Sequence, residues 1–433
     1  MKTSIVWFKT DLRLHDNETL VRAIEQSDEI IPVYCFDEAH YKATEFGFNK
    51  TGNFRTQFLL ESLVDLDKSL RNCGSGLIIV RGKPEEELFK LVKKYNVRKV
   101  FSKKEVAYEE KQTQMQVEKE LWKLHCPLET FSTSTLYHAQ DLPFALKDIP
   151  DIFTSFRKRI EKESTIREVF LMPSIINSPM IDELNLPRIE QLGLDNITKD
   201  CRAVIDFKGG ETEGYKRLKN YFFKTHAIST YKETRNGMIG ENYSTKFSAW
   251  LAIGCLSPRE IYYELKKYEA QFSANESTYW LEFELLWRDY FRFMMKKYSN
   301  KFFQQTGLKT KTDNLHQHNN EALQTWINGQ TGVDFIDANM IELKHTGYMS
   351  NRGRQNVASY LCNNLKLDWR YGAAYFEMQL IDYDVCSNWG NWAYLAGVGN
   401  DPRGNRVFNI EKQAHDYDAK KEFRNLWLNN YLK

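Results

Sequence analysis

Short apolar runs alternate with helix-like stretches over residues 1–131. The runs that predict strands are 4–8, 30–36, 76–80, 99–102 and 128–131. Between them, apolar residues recur every three or four positions, as in the stretches 54–70 and 84–95. This order predicts a doubly wound α/β domain, in which helices cover both faces of a parallel sheet. No G-x-G-x-x-G follows the first run, so the dinucleotide-binding fingerprint is lacking.

The pattern changes twice further along the chain. Over 132–205 it weakens, and prolines with short polar runs predict a connector wrapped on the surface between two domains. Over 206–433 strand-like alternation is lacking, and apolar residues at helical spacing are clearest in 277–298 and 354–365. We therefore expect an all-α second domain over 206–433.

Composition limits the function classes. A chain of 433 residues is too long for one hydrophobic core, which agrees with two domains. Aromatic residues make up 14% of the chain, a high share that either fills large cores or serves a site that needs flat π-surfaces. The formal net charge is +2, so a nucleic acid would have to be bound by a local basic patch.

The cysteines and the apolar runs favour a cytoplasmic protein. The 7 cysteines are odd in number and scattered, and no C-x-x-C pair occurs, which is typical of reduced thiols. The first apolar run is too short for a signal peptide. No stretch approaches the roughly 20 apolar residues of a membrane-spanning helix. We expect a soluble monomer with no membrane contact.

The predicted helix 277–298 carries the first candidate chemistry. Glu284, Trp287 and Arg288 are three and four residues apart and therefore share one face. An acid, a flat indole and a guanidinium there could stack a base and bind its polar edge. The alternative is an ordinary amphipathic helix whose Trp lies in the core and whose Glu and Arg form a surface pair.

A second candidate is "GYMSNRGRQNVASYL", residues 347–361. Asn351, Arg354 and Gln355 fall on one helix face, and Arg352 lies beside them. Arginines next to glycine favour phosphate or carboxylate contacts. A solvated basic helix start is the alternative.

The segment "LIDYDVCSNWGNW", residues 380–392, combines carboxylates, a carboxamide and indoles. Asp384 and Asn388 are one turn apart on a helix that we expect Gly390 to end, and Asp382 points elsewhere. Paired aspartates can bind metal or transfer protons. Because no further cluster of oxygen ligands is near, we expect no metal site. "HQH" at 316–318 is a weak metal candidate and more typical of a loop.

A fourth candidate, "YSTKFS" at 243–248, offers three hydroxyls and a lysine. Such a segment could hold a phosphate through side chains and backbone N–H groups. Turns rich in Ser and Thr are common, so this signal is weak by itself.

Together, and in this order, these segments identify a family resemblance. The sequence resembles the photolyase/cryptochrome flavoproteins, and within them the DASH cryptochrome branch. The resemblance covers nearly the whole chain. Its five blocks are "VWFKTDLRLHDN" (6–17), "TRNGMIGENYSTKFSAWLAIGCLSPR" (234–259), "FELLWRDYFRF" (283–293), "GQTGVDFIDANMIELKHTGYMSNRGRQNVASYL" (329–361) and "LDWRYGAAYFEMQLIDYDVCSNWGNWAYLAGVGNDPR" (367–403).

The resemblance implies that the helical domain binds FAD folded into a U. Matched position by position, the diphosphate side comprises Tyr231, Ser244, Thr245 and Ser248. The residues near the flavin and ribose are Trp280, Arg288, Asn351, Asp382, Asp384 and Asn388. Asp384 would meet the flavin near N3 or the ribityl chain, Asn388 would face N5, and Arg354 would pair with Asp382.

The resemblance also implies light-driven repair of cyclobutane pyrimidine dimers in DNA by excited reduced FAD. Glu284 would hydrogen-bond the dimer and Trp287 would stack on it, while Arg352 and Arg406 would bind flanking phosphates.

Two positions select the branch. Tyr394 and Gln355 stand where duplex-repairing photolyases have Trp and Met, which is typical of members that prefer single-stranded DNA. The alternatives are a photoreceptor that binds nucleic acid, RNA included, without efficient repair, and a flavoprotein with vestigial photochemistry.

Two further features follow from the resemblance. Trp392 and Trp369 match the inner and middle tryptophans of the electron relay that reduces the flavin, but the outer position is His316, which is far harder to oxidise. The segment 104–112 resembles the contact for a light-harvesting antenna, 5,10-methenyltetrahydrofolate, with Glu109 or Glu110 as its partner. A deazaflavin, an empty site and a solvated charged helix start are the alternatives.

Overall fold

A five-stranded parallel sheet forms the core of the first domain. The computed structural model describes residues 2–309, 318–400 and 407–429. The strands are β1 Thr3–Phe8, β2 Glu29–Phe36, β3 Ile78–Arg81, β4 Lys99–Lys103 and β5 Leu128–Phe131. Their order is β3-β2-β1-β4-β5, all parallel. The predicted doubly wound fold is confirmed, and each predicted strand lies within two residues of an observed one.

Helices on both faces explain why β1 is buried along its whole length. Side chains alternate across a strand. Val6 and Phe8 pack with the helices on one face, and Ile5 and Trp7 pack with those on the other. The helices of this domain are α1 Glu18–Gln26, α2 Asn53–Asn72, α3 Pro84–Tyr95 and α4 Tyr108–Trp122.

The connector is only partly a surface segment. It contains helix α5, Phe153–Glu163, and two 3₁₀ turns, and the rest is irregular. Phe153, Phe156 and Ile160 are buried in the core cluster of the helical domain. The expectation that the whole connector wraps the surface is therefore wrong for α5, because its apolar positions recur at helical spacing and need a partner.

The described part of the second domain is helical throughout, as predicted. Its helices are α6 Glu211–Lys219, α7 Tyr231–Thr234, α8 Ser248–Ala252, α9 Pro258–Gln271, α10 Glu276–Tyr298, α11 Asn320–Ile327, α12 Asp334–Thr346, α13 Asn351–Ser359, α14 Trp369–Gln379, α15 Val385–Leu395, α16 Ile410–Tyr417 and α17 Glu422–Leu428. None of the helices within the described ranges combines the length and apolarity of a membrane span. All seven cysteines are described, and each is a free thiol.

Helices α10 and α15 bring the candidate residues together. Asn275 caps α10 by accepting from the backbone N–H groups of Ser277 and Thr278. Helix α15 continues through Gly390 to Leu395, so the expectation that Gly390 ends it is wrong. The glycine instead allows close packing on α10, because a Cβ there would lie 2.4 Å from Cδ1 of Phe291.

Candidate functional site

Seven of the predicted site residues line one cavity in the helical domain. It measures about 560 Å³, its open mouth included, and lies between α13, α14, α15 and the turn before α15. The seven are Asn351, Arg354, Gln355, Asp382, Asp384, Asn388 and Trp392. Residues up to 41 positions apart in the chain thus meet at one site.

The predicted pairing of Arg354 with Asp382 is present. Nη2 of Arg354 donates to Oδ2 of Asp382 at 2.8 Å, and Nε donates to the carbonyl of Met349 at 2.9 Å. The Asp382 side chain is 1% exposed, and its Oδ1 has no protein partner. One buried acceptor therefore remains free to accept from a bound molecule.

Asp384 caps α15 and is held ionised. Its Oδ1 accepts from the backbone N–H of Ser387 at 2.8 Å. Burial opposes ionisation, but the nearby guanidiniums of Arg288 and Arg292 lower the pKa of Asp384 below its ordinary value. Asp382 lines the same cavity but pairs with Arg354 on α13.

Asn388 presents its oxygen to the cavity. Its Nδ2 donates to the carbonyl of Ala373 at 3.0 Å, which commits the amide nitrogen to the neighbouring helix. The Oδ1 atom is then the group left for a ligand, so this carboxamide acts as an acceptor.

The two predicted relay tryptophans are both buried, each 3% exposed. Trp392 lies over Gly372, where a Cβ would approach its ring to 2.3 Å. Nε1 of Trp369 donates to the carbonyl of Gln305 at 3.1 Å. The outer relay position, His316, lies outside the described residues.

A second cluster surrounds Glu284 on α10. Its carboxylate accepts from Nη1 of Arg235, and the Arg235 guanidinium lies 5.5 Å from the centre of the Trp280 ring. Burial raises the pKa of Glu284, although Arg235 opposes the shift. Burial, with Glu284 nearby, raises the pKa of Tyr231 far above its ordinary value. The alternative of a Glu284–Arg288 surface pair is wrong, because each residue has other partners.

Aromatic neighbours fix the orientation of the Trp287 ring. Phe153 stacks on its indole with the ring centres 3.7 Å apart and the planes 11° apart. Tyr394, on α15, approaches edge-on with the ring centres 6.1 Å apart. The orientation of the indole is therefore fixed before any ligand binds.

Arg288 and the "YSTKFS" loop border the first cluster. Arg288 is half-buried and donates to the carbonyls of Ser134 and Leu251. Arg217 holds the loop by donating to the carbonyls of Thr245 at 3.0 Å and Ser244 at 3.1 Å. Within the loop, Oγ1 of Thr245 accepts from the backbone N–H of Phe247 at 3.4 Å, and Ser248 is exposed at the end of the loop.

Arg352 is anchored rather than free. Its guanidinium donates to Asn236 at 2.9 Å and to Gln355 at 3.0 Å, and it lies 4.3 Å from the centre of the Tyr417 ring. Arg406, the other predicted phosphate ligand, lies outside the described residues.

A larger cavity lies where the carboxyl ends of β1, β2 and β4 meet the helical domain. It encloses about 1260 Å³, its open mouth included, and Glu110 and Glu377 are among its lining residues. The sheet order reverses between β1 and β4, and such switch points bind ligands in α/β folds. Burial raises the pKa of Glu110 to about 6, whereas Glu109 is exposed and pairs with Lys50.

Comparisons with known proteins agree with this arrangement. A family profile described as DNA photolyase matches residues 4–174, and one described as the FAD binding domain of DNA photolyase matches residues 280–432. Cryptochrome DASH of Gloeobacter violaceus is 48% identical over 428 residues, which cover 99% of this chain and 85% of that protein. The chain belongs to the photolyase/cryptochrome family.

The relatives named Cryptochrome DASH place the chain in that branch, and solved structures extend the comparison. The crystal structure of Synechocystis sp. cryptochrome matches with a TM-score of 0.96 at 48% identity, over 99% of this chain and 89% of that one. The crystal structure of an archaeal photolyase from Sulfolobus tokodaii with two FAD molecules matches with a TM-score of 0.80 at 26% identity, over 98% and 90% of the two chains. The helical domain of this family member is an FAD-binding domain.

The residues of the smaller cavity fit FAD. A flavin ring offers both N–H donors and acceptors, and the cavity presents the unpaired Oδ1 of Asp382 and the free Oδ1 of Asn388. Lys246 of the "YSTKFS" loop does not line this cavity, because its Nζ lies over the Tyr243 ring, 2.9 Å from the ring centre.

Sequence reasoning missed four residues that hold the site. Arg217 holds the "YSTKFS" loop, and Arg235 binds Glu284. Asn236 binds Arg352, and Phe153 stacks on Trp287. Two of these residues, Arg235 and Asn236, lie in "TRNG" at the start of the segment 234–259. There, a basic residue next to a predicted turn could have indicated a binding role.

Proposed function

We propose that the protein is a light-driven lyase that splits cyclobutane pyrimidine dimers, preferentially in single-stranded DNA. Bound FAD, when reduced and excited by light, supplies the electron for this reaction. The protein's part is to hold the cofactor, to bind the extruded dimer beside it and to exclude water.

The observation that carries the proposal is that α15 contributes to both clusters. Asn388 and Trp392 line the cavity, and Tyr394, two residues further on, contacts Trp287. One helix thus joins the two clusters, and we propose that a base stacked on Trp287 lies within reach of a ligand held in the cavity. Stacking of a base on an aromatic side chain contributes roughly 1–3 kcal/mol.

Glu284 fits the polar edge of a dimer. The carbonyl oxygens of thymine accept hydrogen bonds, so the carboxyl must be protonated to donate to them. Burial raises the pKa of Glu284, which favours that form. Arg235 would then be free to stabilise negative charge that develops on the bound base.

In the proposed FAD site, Asp384 and Asn388 contact the flavin ring. The ion pair of Arg354 with Asp382 holds the cavity wall next to that ring. Tyr231, Ser244, Thr245 and Ser248 are assigned to the diphosphate side. Trp280, Arg288 and Asn351 complete the proposed binding site. Asn388 would accept from a protonated ring nitrogen, because its amide nitrogen is already committed to Ala373.

The preference for single strands rests on Tyr394 and Gln355. A phenol offers less stacking surface than an indole, so it recovers less of the cost of unpairing a base. Gln355 accepts a hydrogen bond from Arg352. We propose that these two residues, together with Arg406, contact the DNA. A single strand does not impose the full cost of unpairing.

We assign the larger cavity to the antenna, with 5,10-methenyltetrahydrofolate as the expected ligand and Glu110 as its partner. Glu110 lines the cavity, whereas Glu109 is exposed and paired with Lys50. The archaeal relative with two FAD molecules makes a second flavin the alternative ligand. Extraction of the purified protein followed by absorption and mass spectra distinguishes the two.

The decisive experiment is a repair assay on matched substrates. We expect the FAD-loaded, reduced protein to restore thymines under blue light, faster in a dimer-containing single strand than in the same sequence as a duplex. Equal rates in darkness, or no repair in light with FAD bound, would reject the lyase. An undamaged RNA strand as competitor tests whether RNA is also bound.

The second candidate is a photoreceptor that binds nucleic acid without repair, in the cytoplasm that the free cysteines favour. The name cryptochrome carried by its relatives supports this candidate. Light-dependent binding of the damaged strand with no restored thymine would select it over the lyase.

A further inference from the structure

Two buried side chains adjoin Trp369, the middle tryptophan of the predicted relay. The ring of Trp389 lies 5.8 Å from that of Trp369, with 74° between the planes. Nε1 of Trp389 donates to Oε2 of Glu377 at 3.0 Å. Trp389 is 4% exposed and Glu377 is 6% exposed. An oxidisable indole thus stands next to the middle tryptophan and is hydrogen-bonded to a carboxyl group.

The Glu377 carboxyl joins this indole to the larger cavity. The residue lines that cavity, and its Oε1 has no hydrogen-bond partner. Burial raises the pKa of Glu377, and the charges of Lys50 and Arg55 oppose the shift. A proton accepted by Oε2 can therefore be passed from the carboxyl group toward the open cavity.

A second tryptophan in a comparable position lacks this feature. The ring of Trp326 lies 6.3 Å from that of Trp392, with 75° between the planes. Its Nε1 donates to the backbone carbonyl of Val357 at 3.1 Å. A carbonyl accepts a hydrogen bond but does not take the proton, so oxidation of Trp326 would leave a positive charge buried.

We propose that Trp389 is the terminal electron donor of the relay and that Glu377 accepts its proton. This inference rests on the proposed relay through Trp392 and Trp369, which is oxidised by light-excited oxidised FAD. An electron passes from Trp389 to oxidised Trp369 and restores it. The Nε1–H bond of Trp389 breaks, its proton forms an O–H bond on Glu377, and Trp389 becomes a neutral radical. A soluble thiol then returns one electron and one proton to Trp389.

The proton transfer is what makes this site a stable end point. Oxidation makes the indole N–H strongly acidic, and a carboxylate at hydrogen-bond distance removes the proton without any movement of the ring. Loss of the proton leaves no buried charge on the indole, so return of the electron to the inner tryptophans is disfavoured. The relay then ends inside the protein and does not depend on oxidation of His316.

Flash photolysis of the oxidised, FAD-loaded full chain tests the proposal, with electron paramagnetic resonance to identify the radical. We expect a neutral tryptophanyl radical in the unaltered protein. Trp389→Phe removes the donor, and Glu377→Gln keeps a hydrogen-bond acceptor but cannot take the proton. Glu377→Gln should shorten the lifetime of the charge-separated state by about tenfold, the factor expected for one hydrogen bond to an ionised group. Trp389→Phe should shorten it at least as much, because the terminal donor is gone.

Trp326→Phe is the matched control and should leave both the radical and its lifetime unchanged. The visible FAD spectrum of each variant establishes that the cofactor is bound. An unchanged neutral radical in Trp389→Phe, or a tyrosyl radical in its place in the unaltered protein, would overturn this inference and leave the inner relay standing. No tryptophanyl radical in the unaltered protein would overturn the relay as well.

Discussion

Removal of Arg354 and removal of Asp382 should destabilise the protein by different amounts. The Asp382 side chain is 1% exposed and the Arg354 side chain is 25% exposed. If Asp382 loses its partner, its charge remains buried, whereas Arg354 can reach water. Loss of the arginine should therefore cost more than loss of the aspartate.

This asymmetry gives a measurable order of stabilities. Arg354→Met should lower the free energy of unfolding by about 3–5 kcal/mol, the usual cost of stranding one member of a buried pair. Asp382→Asn should cost less, about 2 kcal/mol, because the arginine is partly solvated. Urea unfolding of the FAD-free protein measures both values. An equal loss of unfolding free energy in the two variants would mean that Asp382 and Arg354 are equally exposed to water.

Glu284 gives a pH prediction at the same scale. Because its folded pKa is raised, the protonated form that donates to a dimer is present below that pKa and is lost as pH rises through it. The repair rate should fall over the same range. Glu284→Gln keeps a donor and should give a flat profile, and Glu284→Ala should be slower by about tenfold at every pH, the worth of one strong hydrogen bond. An unchanged pH profile in Glu284→Gln would contradict this role.

At the scale of elements, the sequence predicted what local patterns determine. The spacing of apolar residues, and the turn residues between the elements, located the strands and helix α10 within two residues of their observed positions. Contacts between distant parts of the chain were not predictable in this way. The fit of Gly390 against Phe291, and the stacking of Phe153 on Trp287, depend on how elements pack and leave no signal in local spacing.

Helix α5 illustrates the consequence for function. Phe153 covers one face of Trp287, so it should set the plane on which a base stacks. Phe153→Leu keeps most of the volume and should cost under about 1.5 kcal/mol of stability. Affinity for the dimer-containing strand should fall while FAD content is unchanged. Fluorescence titration with a labelled single strand measures this affinity.

Phe156 provides the matched control on the same helix. It is fully buried, its ring packs against Phe153, Tyr290 and Phe293, and Trp287 is not among its ring neighbours in the described residues. Phe156→Leu should cost similar stability but leave the affinity for the damaged strand unchanged. Equal loss of affinity in both variants would mean that α5 acts only through general packing.

At the scale of the whole molecule, the two domains share one core. A single cluster of buried apolar side chains extends from Val6 in β1 to Val398 after α15. A buried ion pair crosses the same boundary, because Nε of Arg259 on α9 donates to Oδ2 of Asp16 at 3.0 Å. Asp16 is fully buried and also accepts from the backbone N–H of Phe170 at 3.1 Å. Neither domain can separate without exposing this surface and these charges.

We therefore expect the FAD-free protein to unfold in a single calorimetric transition despite its two domains. Asp16→Asn should cost about 3–5 kcal/mol, because it strands Arg259 in the interface. Since the unfolding entropy grows with chain length, that loss should lower Tm by only about 4 °C. Glu25→Gln removes the exposed pair with Arg22 and should change stability by less than about 0.5 kcal/mol. Two resolved transitions in the unaltered protein, or a fall in Tm as large in Glu25→Gln as in Asp16→Asn, would mean that the interface does not couple the domains.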